Sequence, residues 1–128
     1  MIILAPISVG ELFDKITILE IKLENYADIF KLAHVTNELD QLRKLADDID
    51  TDISREFTEL KEVNSIIWIN EDRARTYKGS KDYDYHFVLL AAKTYELNTR
   101  RAKIKQAINI KCNSNIVETK SYTDTGDI

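Results

Sequence analysis

SVGELFDKITILEIKLENYADIFKL, residues 8–32, sets the architecture of the chain. Ser8-Val9-Gly10-Glu11 is an S-x-x-E capping box, a helix-start signal. The apolar residues that follow, Leu12, Ile16, Leu19, Leu23, Tyr26 and Phe30, recur every three or four positions and so share one helical face. The spacing predicts a first helix to about Leu32. Working outward, Val35, Leu39, Leu42 and Leu45 predict a second amphipathic helix from about Val35 to Ala46. The acidic stretch Asp47 to Asp52 reads as a solvated turn, with Thr51 or Asp52 capping a third helix that runs to about Tyr77 through Ile53, Phe57, Leu60, Val63 and Ile67. Lys78-Gly79-Ser80-Lys81 reads as a loop. Asp82 is then expected to cap a fourth helix, through Phe87, Leu90, Thr94, Leu97, Ile104 and Ile108 to about Lys111, roughly 45 Å long.

The ends are short. Ile2-Ile3-Leu4 and Ile116-Val117-Glu118 are β-prone, and the first and fourth helices are placed to bring them together as a two-strand pair. Residues 1–7 are expected to be an extended N-terminal segment and 113–128 an extended or frayed tail. The expectation is one domain over 1–128: an all-α, antiparallel bundle of about four helices.

Composition agrees. In 128 residues there are three glycines and one proline, so little interrupts long helices. Hydrophobic residues make up 44% and charged residues 31%, which suits a soluble folded domain. The net charge of −4, with signs interspersed, offers no basic field to nucleic acid. Met1 to Ile7 is apolar but lacks a basic flank and soon meets Glu11, so neither a signal peptide nor a membrane span is expected. A single cysteine, Cys112, has no disulfide partner or metal-ligand spacing, and a reducing, cytoplasmic setting follows.

The informative residues are polar ones on apolar arcs. At about 100° per residue, Glu20 lies beside Ile16, and Asn64 and Glu71 share the stripe of Phe57, Leu60 and Trp68. Asn98, Arg101 and Lys105 follow the margin of the Leu97 and Ile104 face. Buried charges need partners, and Glu20 and Glu71 would balance Arg101 and Lys105. Such a set either fixes helix register as an ion-pair network or lines a pocket in which Arg101 and Lys105 face an anion beside Trp68.

Catalytic and metal templates fit poorly. A di-iron bundle needs Glu-x-x-His pairs, but Lys31 and Tyr83 stand three residues before His34 and His86. Neither histidine has the context of a nucleophilic triad. Glu11-x-x-Asp14 with Glu20-x-x-x-Glu24 is similar to the magnesium helices of all-α nucleotide pyrophosphohydrolases, though in the opposite order and on one helix. Glu38 to Arg43 faintly resembles a helical chorismate mutase opening. No glycine spacing fits a phosphate loop, and no metal or cofactor is expected.

Several blocks together resemble an uncharacterised family of small bacterial and phage proteins, a domain of unknown function. They are Ser8-Val9-Gly10-Glu11-Leu12, Asp14 to Lys22, Trp68 to Asp72, Tyr95 to Lys105, Ile108-Asn109 and Glu118 to Tyr122. Thr119 stands where that pattern carries an acid. The resemblance implies no activity. Two readings of function follow: a non-catalytic binding or adaptor module with a protein partner or a second copy as its target, or a small helical enzyme or sensor. The second would hold a phosphate- or carboxylate-bearing metabolite between helices one, three and four, with Glu20, Trp68, Glu71, Asn98, Arg101 and Lys105 as the ligand-binding candidates.

Overall fold

The computed structural model describes residues 1–77 and 83–121. Four helices follow one another: α1 (Val9–Asn25), α2 (Ile29–Asp47), α3 (Ser54–Arg75) and α4 (Tyr85–Lys111). Each begins where a short polar side chain can hold free backbone N–H groups. Ser8 Oγ accepts from the Glu11 amide at 3.1 Å, Asp28 accepts from Phe30 and Lys31, and Asp84 accepts from Phe87. At α3 the holding group is Asp52, which accepts from the Ser54 amide at 3.0 Å.

The first helix ends earlier than its stripe predicts, and Ile29 to Leu32 open the second helix instead. Tyr26 is extended, and Asp28 restarts the chain as α2. The cause is local: Asp28 satisfies two amides that would otherwise point back into α1, while the Tyr26 ring packs against Trp68 at 6.1 Å. The break re-aims Phe30, which the stripe placed inward and which is 75% exposed. Leu45, also placed inward, is half exposed. The expected loop at Lys78 to Lys81 and the Asp82 cap lie outside the described residues.

The bundle is antiparallel in chain order. Gly10 meets Asn109 and Asp14 meets Arg101, so α1 runs against α4, and the short link from Asn25 to Ile29 turns α2 back along α1. Phe13 meets Phe57 and Tyr26 meets Trp68, so α1 and α3 run together. Helix α1 touches the other three, and α3 lies along α4. Their shared core includes Ile16, Leu39, Leu60, Val63 and Ile108, all nearly inaccessible. At roughly 25 cal/mol per Å² of buried apolar surface, this core is the main stabilising element.

No strand forms among the described residues, so the expected pairing of the ends is absent. Ile2, Ile3 and Leu4 are mostly exposed, and the C-terminal segment is drawn elsewhere. After α4, Asn113 takes a left-handed φ of 52° that ends the helix, and the Ser114 amide returns to the Asn109 carbonyl at 2.8 Å. Ser114 Oγ then accepts from the Val9 amide at 3.1 Å, tying this exit to the start of α1.

Candidate functional site

One face of α1 and the C-terminal half of α4 enclose the most elaborate polar cluster. Asp14, 1% exposed, accepts two hydrogen bonds from one guanidinium: Arg101 Nε to Oδ1 at 2.8 Å and Nη2 to Oδ2 at 2.5 Å. Asn64 Nδ2 donates to the same Oδ1 at 2.9 Å and also to Thr17 Oγ1 at 2.8 Å. One turn along α4, Lys105 Nζ donates to Glu11 at 2.7 Å and to Glu118 at 2.9 Å, with Asp14 at 4.0 Å. Asn109, the next turn, accepts from the Gly10 amide at 2.6 Å. The i, i+4 rhythm of Arg101, Lys105 and Asn109 thus faces the i, i+3/i+4 rhythm of Gly10, Glu11, Asp14 and Thr17.

These contacts set the electrostatics. Hydrogen bonding to Asp14 raises the Arg101 pKa against the opposing effect of burial. Burial pulls the Lys105 pKa down, but Glu11 and Glu118 outweigh it and the net shift is upward. Both cations stay charged. Lys120, then Lys105, hold the Glu118 carboxyl down at about 2. A depressed acid stabilises the fold above its ordinary value and loses that contribution as pH falls toward the folded one. The Glu118 tether should therefore loosen between about pH 4.5 and about pH 2. NMR chemical shifts of residues 116–120, followed through that window, should move toward coil values before those of α4 do. Unchanged shifts of the segment at pH 3 would contradict it.

Of the six residues singled out from sequence, the structure brings together Asn98, Arg101 and Lys105, with Asn98 Oδ1 accepting from Arg101 at 3.5 Å. The other three stand apart. Glu20 pairs with Arg43 and Lys61 on the side of α1 turned to α2 and α3. Glu71 is exposed and faces Arg75 at 3.9 Å. Trp68 packs on Tyr26. The expected pairing of Glu20 and Glu71 with Arg101 and Lys105 is thus replaced by Asp14, Glu11 and Glu118. The signal for these three lay in the sequence blocks Gly10-Glu11, Asp14 to Thr17 and Glu118 to Lys120.

The Cys112 thiol is raised above its usual pKa, mainly by burial, so the reactive thiolate is disfavoured. Among the described residues no His, Cys, Asp and Glu group is gathered for a metal, and no helix is long and apolar enough to cross a membrane. No curated protein and no solved structure matches the chain. A family of unknown function, DUF6165, matches residues 3–126, and the chain belongs to that family.

Proposed function

We propose that the chain is a non-catalytic binding module that works as a homodimer, paired through the outward face of α4. The carrying observation is a second apolar seam on that helix. Phe87, Leu90, Thr94, Leu97, Arg101 and Ile104 point inward at the alternating three-four spacing of a packed helix. Tyr85, Val88, Ala92, Tyr95 and Thr99 repeat the same spacing on the opposite side. Tyr85, Val88 and Tyr95 are 70%, 57% and 76% exposed. No residue between 83 and 96 is buried, nor any between 71 and 77, so the α3–α4 hairpin outruns the cover of α1 and α2.

A second copy suits this seam. In an isologous pair of antiparallel α4 helices with its axis near Ala92, each Val88 would lie against the partner's Tyr95 and small residues would meet at the axis. Each layer then sets a large side chain against a smaller one, as close packing requires. The mutual pairing within the Asp14 cluster supports a structural role for those charges, and therefore a binding module over an enzyme. The free thiol of Cys112, the one cysteine of the sequence, is compatible with a reducing compartment and supports the cytoplasm.

Light scattering on the eluting wild type should give twice the 14.8 kDa chain mass. Val88→Asp should elute as a monomer with unchanged helicity, because a charge on each side of the seam would weaken pairing by about a hundredfold or more. A monomeric wild type at about 100 µM, a concentration at which micromolar dimers persist, would remove the proposal.

A further inference from the structure

The C-terminal segment turns back beside α4, with Ser114 bonded to the start of α1 and Glu118 on the same Lys105 ammonium that holds Glu11. Its hold there is slight in apolar terms, since Ile116 and Val117 are 41% and 53% exposed. It is anchored by Ser114 and by the Glu118 carboxylate, which sits between Lys105, at 2.9 Å, and Lys120. Between segment and helix an open groove of about 410 Å³ is lined by Tyr95, Asn98, Arg101, Lys105, Glu118 and Lys120. That volume is within the range that holds small metabolites.

The charges around this groove are unequal. Three of its lining side chains are cationic, and Glu118 is their single carboxylate. Asp14 and Glu11, which balance Arg101 and Lys105, line a separate cavity on the α1 side. Neither lines the groove, although Glu11 shares the Lys105 ammonium with Glu118. Without the Glu118 carboxylate, Lys105, still bonded to Glu11, and Lys120 would each turn a freed donor toward the groove.

We propose that the groove is a binding site for a small molecule bearing an anionic oxygen group, carboxylate or phosphate, and that Glu118 is a built-in occupant which the ligand displaces. The ammonium pair accepts any such group as point charges, so the site selects by charge and reach. The Asn98 side chain, which also lines the groove, offers a hydrogen bond to the rest of the molecule. The loosely packed segment is what allows exchange, because few apolar contacts oppose its release. The anion seat does not rest on pairing of the α4 seam: Lys105 lies near the C-terminal end of α4 and Lys120 in the segment after it, and the one residue shared with the seam, Tyr95, holds no part of the anion.

Two-dimensional NMR titrations of the full chain with succinate and, separately, with inorganic phosphate test it at matched ionic strength. Shifts should concentrate at Asn98, Ala102, Lys105 and residues 116–120. The arm that shifts them names the preferred group, and shifts in both define a general anion seat. Glu118→Gln should bind about fivefold more tightly, the change expected from freeing two partly exposed ion pairs. Lys120→Ala, at a partly exposed position where folding is not at risk, should weaken binding by a similar factor. Shifts scattered over surface lysines such as Lys44 and Lys93, or a Glu118→Gln affinity no higher than wild type, would overturn the proposal.

Discussion

Replacing Arg101 with methionine should lower the stability of the chain by about 3 kcal/mol, the low end of the cost of breaking a buried ion pair. At this chain length that is a fall in Tm of about 12 °C. Methionine keeps much of the packing volume and removes the guanidinium. Asp14 is then left at 1% exposure with the Asn64 amide as its close donor, since Lys105 is 4.0 Å away and committed to Glu11 and Glu118. The low end applies because the Arg101 side chain is 27% exposed, so water can enter where the guanidinium was. Denaturant titration should show a lower midpoint at unchanged slope. Combining it with Asp14→Leu should restore most of the loss, because removing both charges is far cheaper than stranding one. A loss under about 1 kcal/mol would mean that Asp14 is solvated in solution and the pair behaves as a surface bridge.

That experiment bears on how much of the site could be read from the chain. The inward series of α3 and α4 were legible because each of those helices buries one stripe, and Leu60, Val63, Leu97, Ile104 and Ile108 are where a single 3.6-residue period puts them. Helix α1 is different. It is packed against three neighbours and buries Gly10, Leu12, Phe13, Asp14, Ile16, Thr17, Leu19 and Ile21, which cover roughly 220° of its circumference. One stripe cannot describe such a helix. The Leu12–Ile16–Leu19 stripe drew attention to Glu20 beside it, but Glu20 lies about 120° from Asp14 around the axis. It therefore reaches Arg43 and Lys61 and not Arg101. Glu118 was hidden for another reason. Its segment is placed by the reversal at Asn113 and by the Ser114 hydroxyl, and no periodicity encodes either.

The end of α1 that buries Gly10 supplies the second large effect. Gly10→Ala should destabilise the fold by about 3 kcal/mol, against the roughly 0.5–1 kcal/mol that alanine ordinarily adds inside a helix. A Cβ on Gly10 would lie 2.5 Å from the Lys105 carbonyl oxygen and 3.0 Å from Asn109 Oδ1. The nearer atom belongs to the α4 backbone, so no side-chain rotation clears it. Helix α1 has to move off α4, and that motion stretches three links at once: the Gly10 amide to Asn109 at 2.6 Å, the Val9 amide to Ser114, and Glu11 to Lys105. Overpacking alone costs about 1–3 kcal/mol, and each weakened hydrogen bond adds about 0.5–1.5 kcal/mol. Asn109→Ala keeps the close approach and removes a single acceptor, so it should cost only about 1–2 kcal/mol. If Gly10→Ala proved the milder of the two, the hydrogen bond and not the helix spacing would be what this glycine protects. The Glu118 segment responds as well, because Ser114 bonds the Val9 amide beside Gly10. Chemical shifts of residues 116–120 in Gly10→Ala should move toward coil values at least as far as in Glu118→Gln, which ties the approach of α1 and α4 to the occupancy of the groove.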